Sequence, residues 1–401
     1  MDALDQTSWR GDTLRPWLAE SFLPFWAEHS FDDPNGGFHD RLSLDFEVMP
    51  VGYKRLRVQA RQIFVFSKAY QLGLFPQGRA LAQQGVAFCL EHGWAEDAGG
   101  WIFKVSPDGR RVVDGTRDLY CQAFMIFALS SYYEATADEA VLEWIDRTVN
   151  FVEEYMRDYV HGGYQNVFPG AAQGSQSFPR LQNPHMHLTE AMLVAARATG
   201  RPDYLTRAGE LVELFFAKFL QTEQGLCGVV EYFDETLKPL ASAEGARSEP
   251  GHLFEWVWIV QLYRKLTGEE GLSSKLRDVL NEGLVRGIDD RPGYVAACFD
   301  EVALSGEVLK REKRLWPQTE TLKALCAGFE ATQGAEKAEY GARAQRQLSM
   351  MMKVYRVGLT TPAFHEHLDE HGKVLTDYYP ISSLYHLFLS FSEYLRVFPE
   401  E

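Results

Sequence analysis

The chain has 401 residues, of which 46% are hydrophobic and 24% are charged, and its formal net charge is −16. This composition is typical of a folded globular protein, and the negative charge disfavours nucleic acid and anionic membranes as partners. No apolar run of about 18 residues occurs, and the N-terminal MDALDQTSWRGD lacks the features of a signal peptide, so we expect a cytoplasmic protein with no membrane span. The five cysteines are odd in number and widely spaced, which argues against a disulfide framework or a CxxC zinc site.

A Gly-Gly-aromatic motif recurs along the chain every 63 residues. Its clear copies are Gly36-Gly37-Phe38, Gly99-Gly100-Trp101 and Gly162-Gly163-Tyr164. A fourth, degraded copy begins at Gly225, and looser copies begin at Arg291 and Thr361. Several copies continue into short alternating runs around turn residues, such as SPDGR and LDEHGK, which predict small β-hairpins.

Two helical patterns lie between successive hairpins. In the first two repeats they even agree in register, since QARQIFVFSKAY begins at Gln59 and QAFMIFALSSYY at Gln122. Such units form an open solenoid or a closed ring, because each must bury its apolar face against neighbours. Bulky aromatic residues on the inner helices favour the ring. We therefore predict an all-α (α/α)6 barrel of about twelve helices in two concentric rings, with short β-hairpins at one face and residues 1–401 as a single domain.

In such a barrel the inner helices begin at the hairpin face. In chain order, the predicted starts are KRLRVQAR (54–61), RDLYCQA (117–123), NPHMHLTE (183–190), PGHLFEWVW (250–258), RLWPQTETLK (314–323) and DYYPISSLYHLF (377–388). Asn183-Pro184 predicts a helix N-terminus with Asn183 as its cap. His187–Glu190 and His252–Glu255 share the pattern HLxE, and His386-Leu387 repeats its first half.

The starts therefore bring histidines, glutamates, an arginine and a tryptophan to one face. We interpret His187, His252 and His386 as a functional set, because they hold equivalent positions in the repeats. Glu255 and Glu320 act directly or hold a neighbouring side chain in place. Trp316, beside Pro317, is a candidate surface for stacking a sugar.

The sequence lacks the motifs of several other kinds of chemistry. HxxE on a helix is not the HExxH zinc signature, and no dense carboxylate cage for magnesium is evident. The Gly-Gly motifs precede strands rather than helices, so they are not phosphate-binding or dinucleotide-binding loops. No Ser or Cys nucleophile elbow is evident. Proton transfer by imidazoles remains, with an arginine to stabilise a developing oxyanion, and we predict that it needs no metal and no cofactor.

With these motifs the chain resembles the N-acylglucosamine 2-epimerase superfamily, which includes mannose isomerase, sulfoquinovose isomerase and cellobiose 2-epimerase. The resemblance covers essentially the whole chain and is carried by RxQAR, NxxxHLxE, PGHxFEW, WPQTE and YHL. It implies an (α/α)6 barrel that isomerises sugars at C1 and C2 without a metal or redox cofactor. The implied substrate is a monosaccharide, and we expect a monomer or a homodimer.

The resemblance also implies roles for individual residues. Arg57 would bind and polarise substrate oxygens, His252 and His386 would be the principal acid/base pair, and His187 would assist ring opening or substrate binding. Glu255 would support His252. The expected substrate-binding residues are Asn183, His185, Trp316, Gln318, Glu320 and Asp377, with His185 as a wall residue because it points away from His187.

The branch of the superfamily is the remaining question. Cellobiose and N-acyl epimerases typically have a Lys-Gly segment before the last histidine, whereas this chain has Ser382-Ser383 in PISSLYHL. This difference favours interconversion of a mannose-type aldose and its ketose through a cis-enediol(ate). The alternative is a sugar 2-epimerase with histidines on opposite faces of C2. More remote alternatives are a non-catalytic sugar-binding protein and a glycoside hydrolase, which would need two carboxylates roughly 6.5–9.5 Å apart if inverting.

Overall fold

A computed structural model describes residues 9–168, 179–223, 226–269, 271 and 273–399. Gly225, where the fourth copy of the repeat was predicted to begin, lies outside these residues. The α-helices are α1 Gly11–Trp17, α2 Leu23–Ser30, α3 Leu56–Gln71, α4 Gly78–His92, α5 Leu119–Thr136, α6 Leu142–Phe151, α7 Gln182–Thr199, α8 Pro202–Leu214, α9 Pro250–Leu266, α10 Ser274–Arg286, α11 Leu315–Ala331, α12 Gly334–Met350 and α13 Ser383–Val397.

Short π-helical segments extend some of these helices: Leu18–Phe22, Val152–Met156, Phe215–Phe219 and Met351–Tyr355. The first of them joins α1 to α2, so the described residues form twelve helices when this pair is counted as one. None of the helices in these residues is long and apolar enough to cross a membrane.

The strands are all short. They are β1 Arg41–Ser43, β2 Lys54–Arg55, β3 Lys104–Val105, β4 Val112–Asp114, β5 Arg180–Leu181, β6 Leu220–Glu223, β7 Leu226–Val229, β8 Tyr232–Phe233, β9 Arg247–Ser248, β10 Glu301–Ala303, β11 Val308–Lys310, β12 Lys313–Arg314, β13 His367–Leu368 and β14 Tyr378–Pro380.

The chain divides into two compact units, and a single domain over residues 1–401 stays a prediction. The α3–α8 unit comprises Ala27–Leu220 and Val230–Ala246, and the α9–α13 unit comprises the described parts of Met1–Trp26, Gln221–Val229 and Arg247–Glu401. In the α3–α8 unit, α5 packs between α3 and α7, and α4, α6 and α8 each pack on the preceding helix. In the α9–α13 unit, α11 packs between α9 and α13, while α10, α12 and α1 pack on α9, α11 and α13. Each unit thus holds three helix pairs, in agreement with the six predicted repeats.

The inner helices differ from the outer helices in burial. Every residue of α5 from Cys121 to Tyr132 is buried, and α7 is buried from Pro184 to Ala195. A helix that is buried on all sides has neighbours all round, whereas α6 and α8 bury a single face. The polar side chains of the inner helices must therefore find partners inside the protein.

The hairpins hold the inner helix starts in place. As predicted, SPDGR connects β3 to β4 as an antiparallel pair, and LDEHGK turns between bridged Leu368 and Val374. The strand before an inner helix pairs with the hairpin of a following repeat, as β2 does with β3, β5 with β8, β9 with β10 and β12 with β13. Backbone hydrogen bonds therefore fix the N-terminal ends of α3, α7, α9 and α11 beside the hairpins.

The Gly-Gly-aromatic motif has a structural explanation. Both glycines of each of the three clear copies have positive φ, for example 74° at Gly36 and 70° at Gly37, where glycine alone has no steric cost. A Cβ on Gly37 would lie 2.7 Å from Oε1 of Gln59. That oxygen accepts the backbone N–H of Phe38, and Nε2 of Gln59 donates to the Phe38 carbonyl. The inner helix thus holds the hairpin base by a side-chain amide that mimics a strand edge.

The second repeat uses the same device, and it supports a stability prediction. Gln122 bonds both the N–H and the carbonyl of Trp101, which is fully buried. Gln122→Leu should lower the free energy of unfolding by about 2–4 kcal/mol, because both backbone groups lose their partner away from water. Urea unfolding measures this change. Gln84→Leu, on the exposed face of α4, is the control, and an equal effect of the two would contradict the anchor.

One local prediction was wrong. Helix α7 begins at Gln182, so Leu181 rather than Asn183 occupies the cap position, and no side chain caps the helix. The reason is that β5 pairs with β8 and keeps the chain extended up to Leu181. Asn183 consequently lies in the first turn of α7.

Candidate active site

Two of the predicted histidines of the α9–α13 unit contact the same tryptophan. The Trp316 ring centroid lies 4.7 Å from that of His252 and 6.0 Å from that of His386. All three residues belong to the first turns of helices, α11 for Trp316, α9 for His252 and α13 for His386. Both histidines are largely buried, and Trp316 is partly exposed. We call these three residues the Trp316 cluster.

A buried chain of charged groups leads away from His386. Its Nδ1 lies 2.9 Å from Oε1 of Glu320, whose Oε2 lies 2.5 Å from Nζ of Lys323. Nζ of Lys323 is also 3.9 Å from Oε1 of Glu255. Glu320 and Lys323 are 0% exposed and Glu255 is 1% exposed. An ionised carboxylate only accepts hydrogen bonds, so this arrangement places the proton on Nδ1 and leaves the lone pair of Nε2 for chemistry.

His252 has a different carboxylate neighbour. Oε2 of Glu249 lies 4.0 Å from Nδ1 of His252, three residues further along the chain. Glu249 precedes the helix and was not among the predicted site residues. Glu255, which the resemblance links to His252, is near Lys323 as described above.

The same carboxylates raise the question of a metal ion. Glu255, Glu320 and His386 each offer a ligand atom, and these atoms lie within 4.8 Å of one another. However, the ammonium of Lys323 lies within 4.0 Å of both carboxylates and already supplies a positive charge there. These residues therefore fit an internal ion-pair network better than a divalent cation.

In the α3–α8 unit, Tyr120 connects two predicted site residues. Its ring centroid lies 4.8 Å from that of His187 and 5.5 Å from Cζ of Arg57. Arg61 donates a 2.6 Å hydrogen bond to the Tyr120 hydroxyl and so fixes the ring. His187 also lies 3.4 Å from Oε2 of Glu190, three residues on, through Nδ1. We call Arg57, Tyr120 and His187 the Tyr120 cluster.

Arg57 differs from the arginines around it. Arg55 pairs with the buried Asp40 and Arg117 pairs with Asp97. Among the described residues, no carboxylate lies within ion-pair distance of Arg57, whose guanidinium packs instead on Phe103 and Tyr120. Burial lowers the pKa of Arg57, yet a guanidinium remains protonated in proteins. Its charge is therefore available to oxygens of a ligand.

Two of the predicted substrate-binding residues have backbone partners. Nε2 of His185 accepts the N–H of Tyr164, and its Nδ1 faces the Leu181 carbonyl. Burial lowers the pKa of His185 to about 3, so this imidazole is neutral near pH 7. Gln318 bonds the N–H and carbonyl of Cys298. Gln318 thus does for its repeat what Gln59 does for the first, whereas His185 accepts only the N–H of its hairpin base.

The other predicted residues are more accessible. Asn183 is partly exposed in the first turn of α7, and Asp377 is exposed just before β14.

Sequence reasoning missed Tyr120 and Lys323, although a signal existed for each. Tyr120 follows Arg57 by one period of 63 residues, and Lys323 follows Glu320 at helical spacing.

Residues 36–390 match the N-acylglucosamine 2-epimerase family, so the chain belongs to this family and is an enzyme that isomerises or epimerises sugars. The chain is 28% identical over 386 residues to the mannose-6-phosphate isomerase of Rhizobium meliloti, which covers 95% of both chains. The resemblance seen in the sequence is thereby confirmed.

Solved structures confirm the predicted fold class. Cellobiose 2-epimerase from Spirochaeta thermophila superposes with a TM-score of 0.83 at 22% identity, covering 97% of this chain and 96% of that one. A D-mannose isomerase superposes with a TM-score of 0.83 at 22% identity, covering 96% and 97%. The fold of the chain is therefore the (α/α)6 barrel.

Proposed function

We propose that this enzyme interconverts an aldose and its ketose, of the mannose/fructose type, through a cis-enediol(ate). The observation that carries the proposal is the Trp316 cluster, in which two imidazoles lie near one aromatic ring and a buried carboxylate lies beside one of these imidazoles. An aromatic ring suits the apolar face of a sugar, and imidazoles suit proton transfer near neutral pH.

In the proposed reaction, Nε2 of His386 removes the proton from C2 of the opened sugar. The C2–H electron pair forms the C1–C2 double bond while His252 protonates O1, which gives the enediol. His252 then takes the proton from O2, the C2 carbonyl forms, and His386 returns its proton to C1 on the same face. Glu320 stabilises the imidazolium that His386 becomes between these steps.

The proposed roles in the Tyr120 cluster concern binding. Arg57 donates hydrogen bonds to neighbouring sugar oxygens and polarises the carbonyl. The lack of a carboxylate within ion-pair distance of Arg57 in the described part of the chain supports this role. His187 assists ring opening. The substrate is a monosaccharide. That the enzyme is a monomer or a homodimer stays a prediction.

The test is product analysis by NMR in D₂O with mannose, glucose, N-acetylglucosamine and cellobiose. We expect fructose from mannose, with deuterium at C1 to the extent that the proton held by His386 exchanges with solvent before its return. If mannose is converted to glucose faster than to fructose, the enzyme is a 2-epimerase and this proposal is wrong. The paired imidazoles would also serve that reaction. Mannose 6-phosphate is a further substrate in the assay because a relative bears that name, and preference for it would change the substrate but not the reaction type.

We predict that activity does not depend on a metal ion or nucleotide. The buried carboxylates near His386 already pair with Lys323, so chelation should remove nothing that the reaction uses. Turnover of the best substrate should be equal before and after dialysis against EDTA, with no cofactor added. Loss of activity that one divalent ion restores would contradict this prediction and make the histidines metal ligands.

Arg57→Lys should lower kcat/KM on the order of 10²-fold, as loss of a well-placed oxyanion donor does. A planar guanidinium binds two neighbouring oxygens, which a compact ammonium does not reproduce. Arg117→Lys is the matched control, because Arg117 also lies over an aromatic ring, that of Phe168, but pairs with Asp97. Equal kinetics in the two variants would show that Arg57 is structural.

A further inference from the structure

Lys323 is a fully buried lysine that the proposed reaction does not use. Its ammonium lies 2.5 Å from Glu320, 3.9 Å from Glu255 and 4.2 Å from the centroid of the Trp258 ring. Burial of a charge is costly unless it is paired, and an apolar side chain fills such a space at lower cost. The presence of an ammonium here therefore calls for a reason other than packing.

We propose that Lys323 is a positioning residue that sets the pH range in which His386 acts as a base. It does so through Glu320, and the inference rests on the proposed function, in which His386 removes the C2 proton. The ammonium of Lys323 lies 2.5 Å from Oε2 of Glu320 and attracts that oxygen, while Oε1 of the same carboxylate lies 2.9 Å from Nδ1 of His386. The ammonium also offsets one of the two buried negative charges.

The charge balance around His386 is the second step. Glu255, Lys323 and Glu320 together carry two negative charges and one positive charge. Each further negative charge stabilises the imidazolium and would keep His386 protonated to higher pH, where it does not act as a base. The ammonium of Lys323 thus keeps His386 neutral, and competent, at lower pH than the two carboxylates alone would allow.

Other charged groups near α13 do not replace Lys323. On α9, His252 has Glu249 rather than Glu320 as its carboxylate neighbour, and Glu393 of α13 accepts from Nε1 of Trp258. Glu366, before β13, accepts from Ser383 at the start of α13. The charged residues of α1, which packs on α13, are exposed to solvent; they are Asp12 and Arg15.

The proposal predicts how the titration midpoint of His386 shifts in each of three variants. Lys323→Met removes the positive charge and should move the midpoint to higher pH, on the order of one unit for one charge at this range. Glu255→Gln removes a negative charge and should move it to lower pH. The double variant restores the wild-type charge and should restore the midpoint, which a change of packing alone would not do.

The measurement is a pH titration of the full chain labelled with [¹⁵N]histidine, followed by ¹H–¹⁵N NMR. The His386 signals are assigned by their loss in His386→Gln. Lys313→Met is the matched control, because Lys313 is equally buried but pairs with Asp289 and lies over Phe299. This control should leave the His386 midpoint unchanged.

The outcomes separate the inference from the proposed function. An unmoved midpoint in folded Lys323→Met, or an equal shift in Lys313→Met, would overturn the role of Lys323. If Lys323→Met does not fold, the test uses Glu255→Gln instead. An unmoved His386 midpoint in Glu255→Gln would also refute the charge balance. The acidic limb of kcat/KM should follow the midpoints. A wild-type protein that exchanges no C2–H of any sugar would refute the proposed function even where the midpoints move as expected.

Discussion

His386→Asn is expected to abolish both turnover and C2–H exchange with solvent deuterium, whereas His252→Asn should abolish turnover alone. An aldose–ketose isomerase removes and returns the proton on one face, so a single base serves both carbons and the second histidine serves the oxygens. Proton transfer by one such group contributes about 10²–10⁴-fold, so each loss should be large. Product formation and deuterium incorporation at C2, both by NMR, measure the two effects.

The assignment of roles in the histidine pair has clear contrary outcomes. His386→Asn protein that still exchanges C2–H would show that another group is the carbon base. Exchange lost in both variants would agree with an epimerase, which needs carbon-directed groups on both faces of C2. His371→Asn is the control, because His371 is exposed and stacks on Tyr294, and it should keep wild-type rates.

Glu320→Gln should lower kcat/KM on the order of 10²–10⁴-fold while the protein remains folded. A carboxamide that turns its NH₂ group toward Nδ1 of His386 favours the opposite tautomer, with the proton on Nε2, where the base is needed. The imidazolium also loses the neighbouring negative charge. Steady-state kinetics and circular dichroism measure the two properties separately.

The control for Glu320→Gln lies on the same helix. Glu330 is near the C-terminal end of α11 and pairs with Arg396 at 2.5 Å and Lys265 at 3.3 Å. Glu330→Gln therefore removes a comparable ion pair from α11 without touching a histidine. If Glu320→Gln kept activity similar to that of Glu330→Gln, Glu320 would be an ordinary structural carboxylate.

Much of the architecture was open to prediction because it depends on local chemistry. The spacing of 63 residues between Gly36 and Gly99 indicates repeated hairpins, because both glycines have a positive φ that other residues rarely adopt. The helices are then predicted between the hairpins. The histidines at equivalent positions of the repeats, such as His252 and His386, were predicted to share a neighbourhood. In the structure both contact Trp316.

Other features depend on partners that are distant in the sequence. Gln318 is a predicted substrate-binding residue whose amide meets the backbone of Cys298, and nothing near Gln318 in the chain indicates that partner. Asn183 was expected to cap a helix, but strand pairing beyond its own segment moved the helix start. The spacing of Lys323 from Glu320 predicts that they share a helix face, but only the packing of α9 against α11 places Glu255 beside Lys323.

The anchoring of the hairpin bases by Gln59, Gln122, His185 and Gln318 has a consequence for how such an enzyme changes over evolution. Each anchor fixes the base of a loop to the helix that carries site residues, while the loop tip, such as Ser106–Arg110, contributes no bond to that base beyond its own turn. An insertion at a tip is therefore expected to leave the anchored helix start, and the site residues proposed on it, in place. Exchange of these tips between relatives is accordingly expected to change the loops without displacing the proposed acid/base groups.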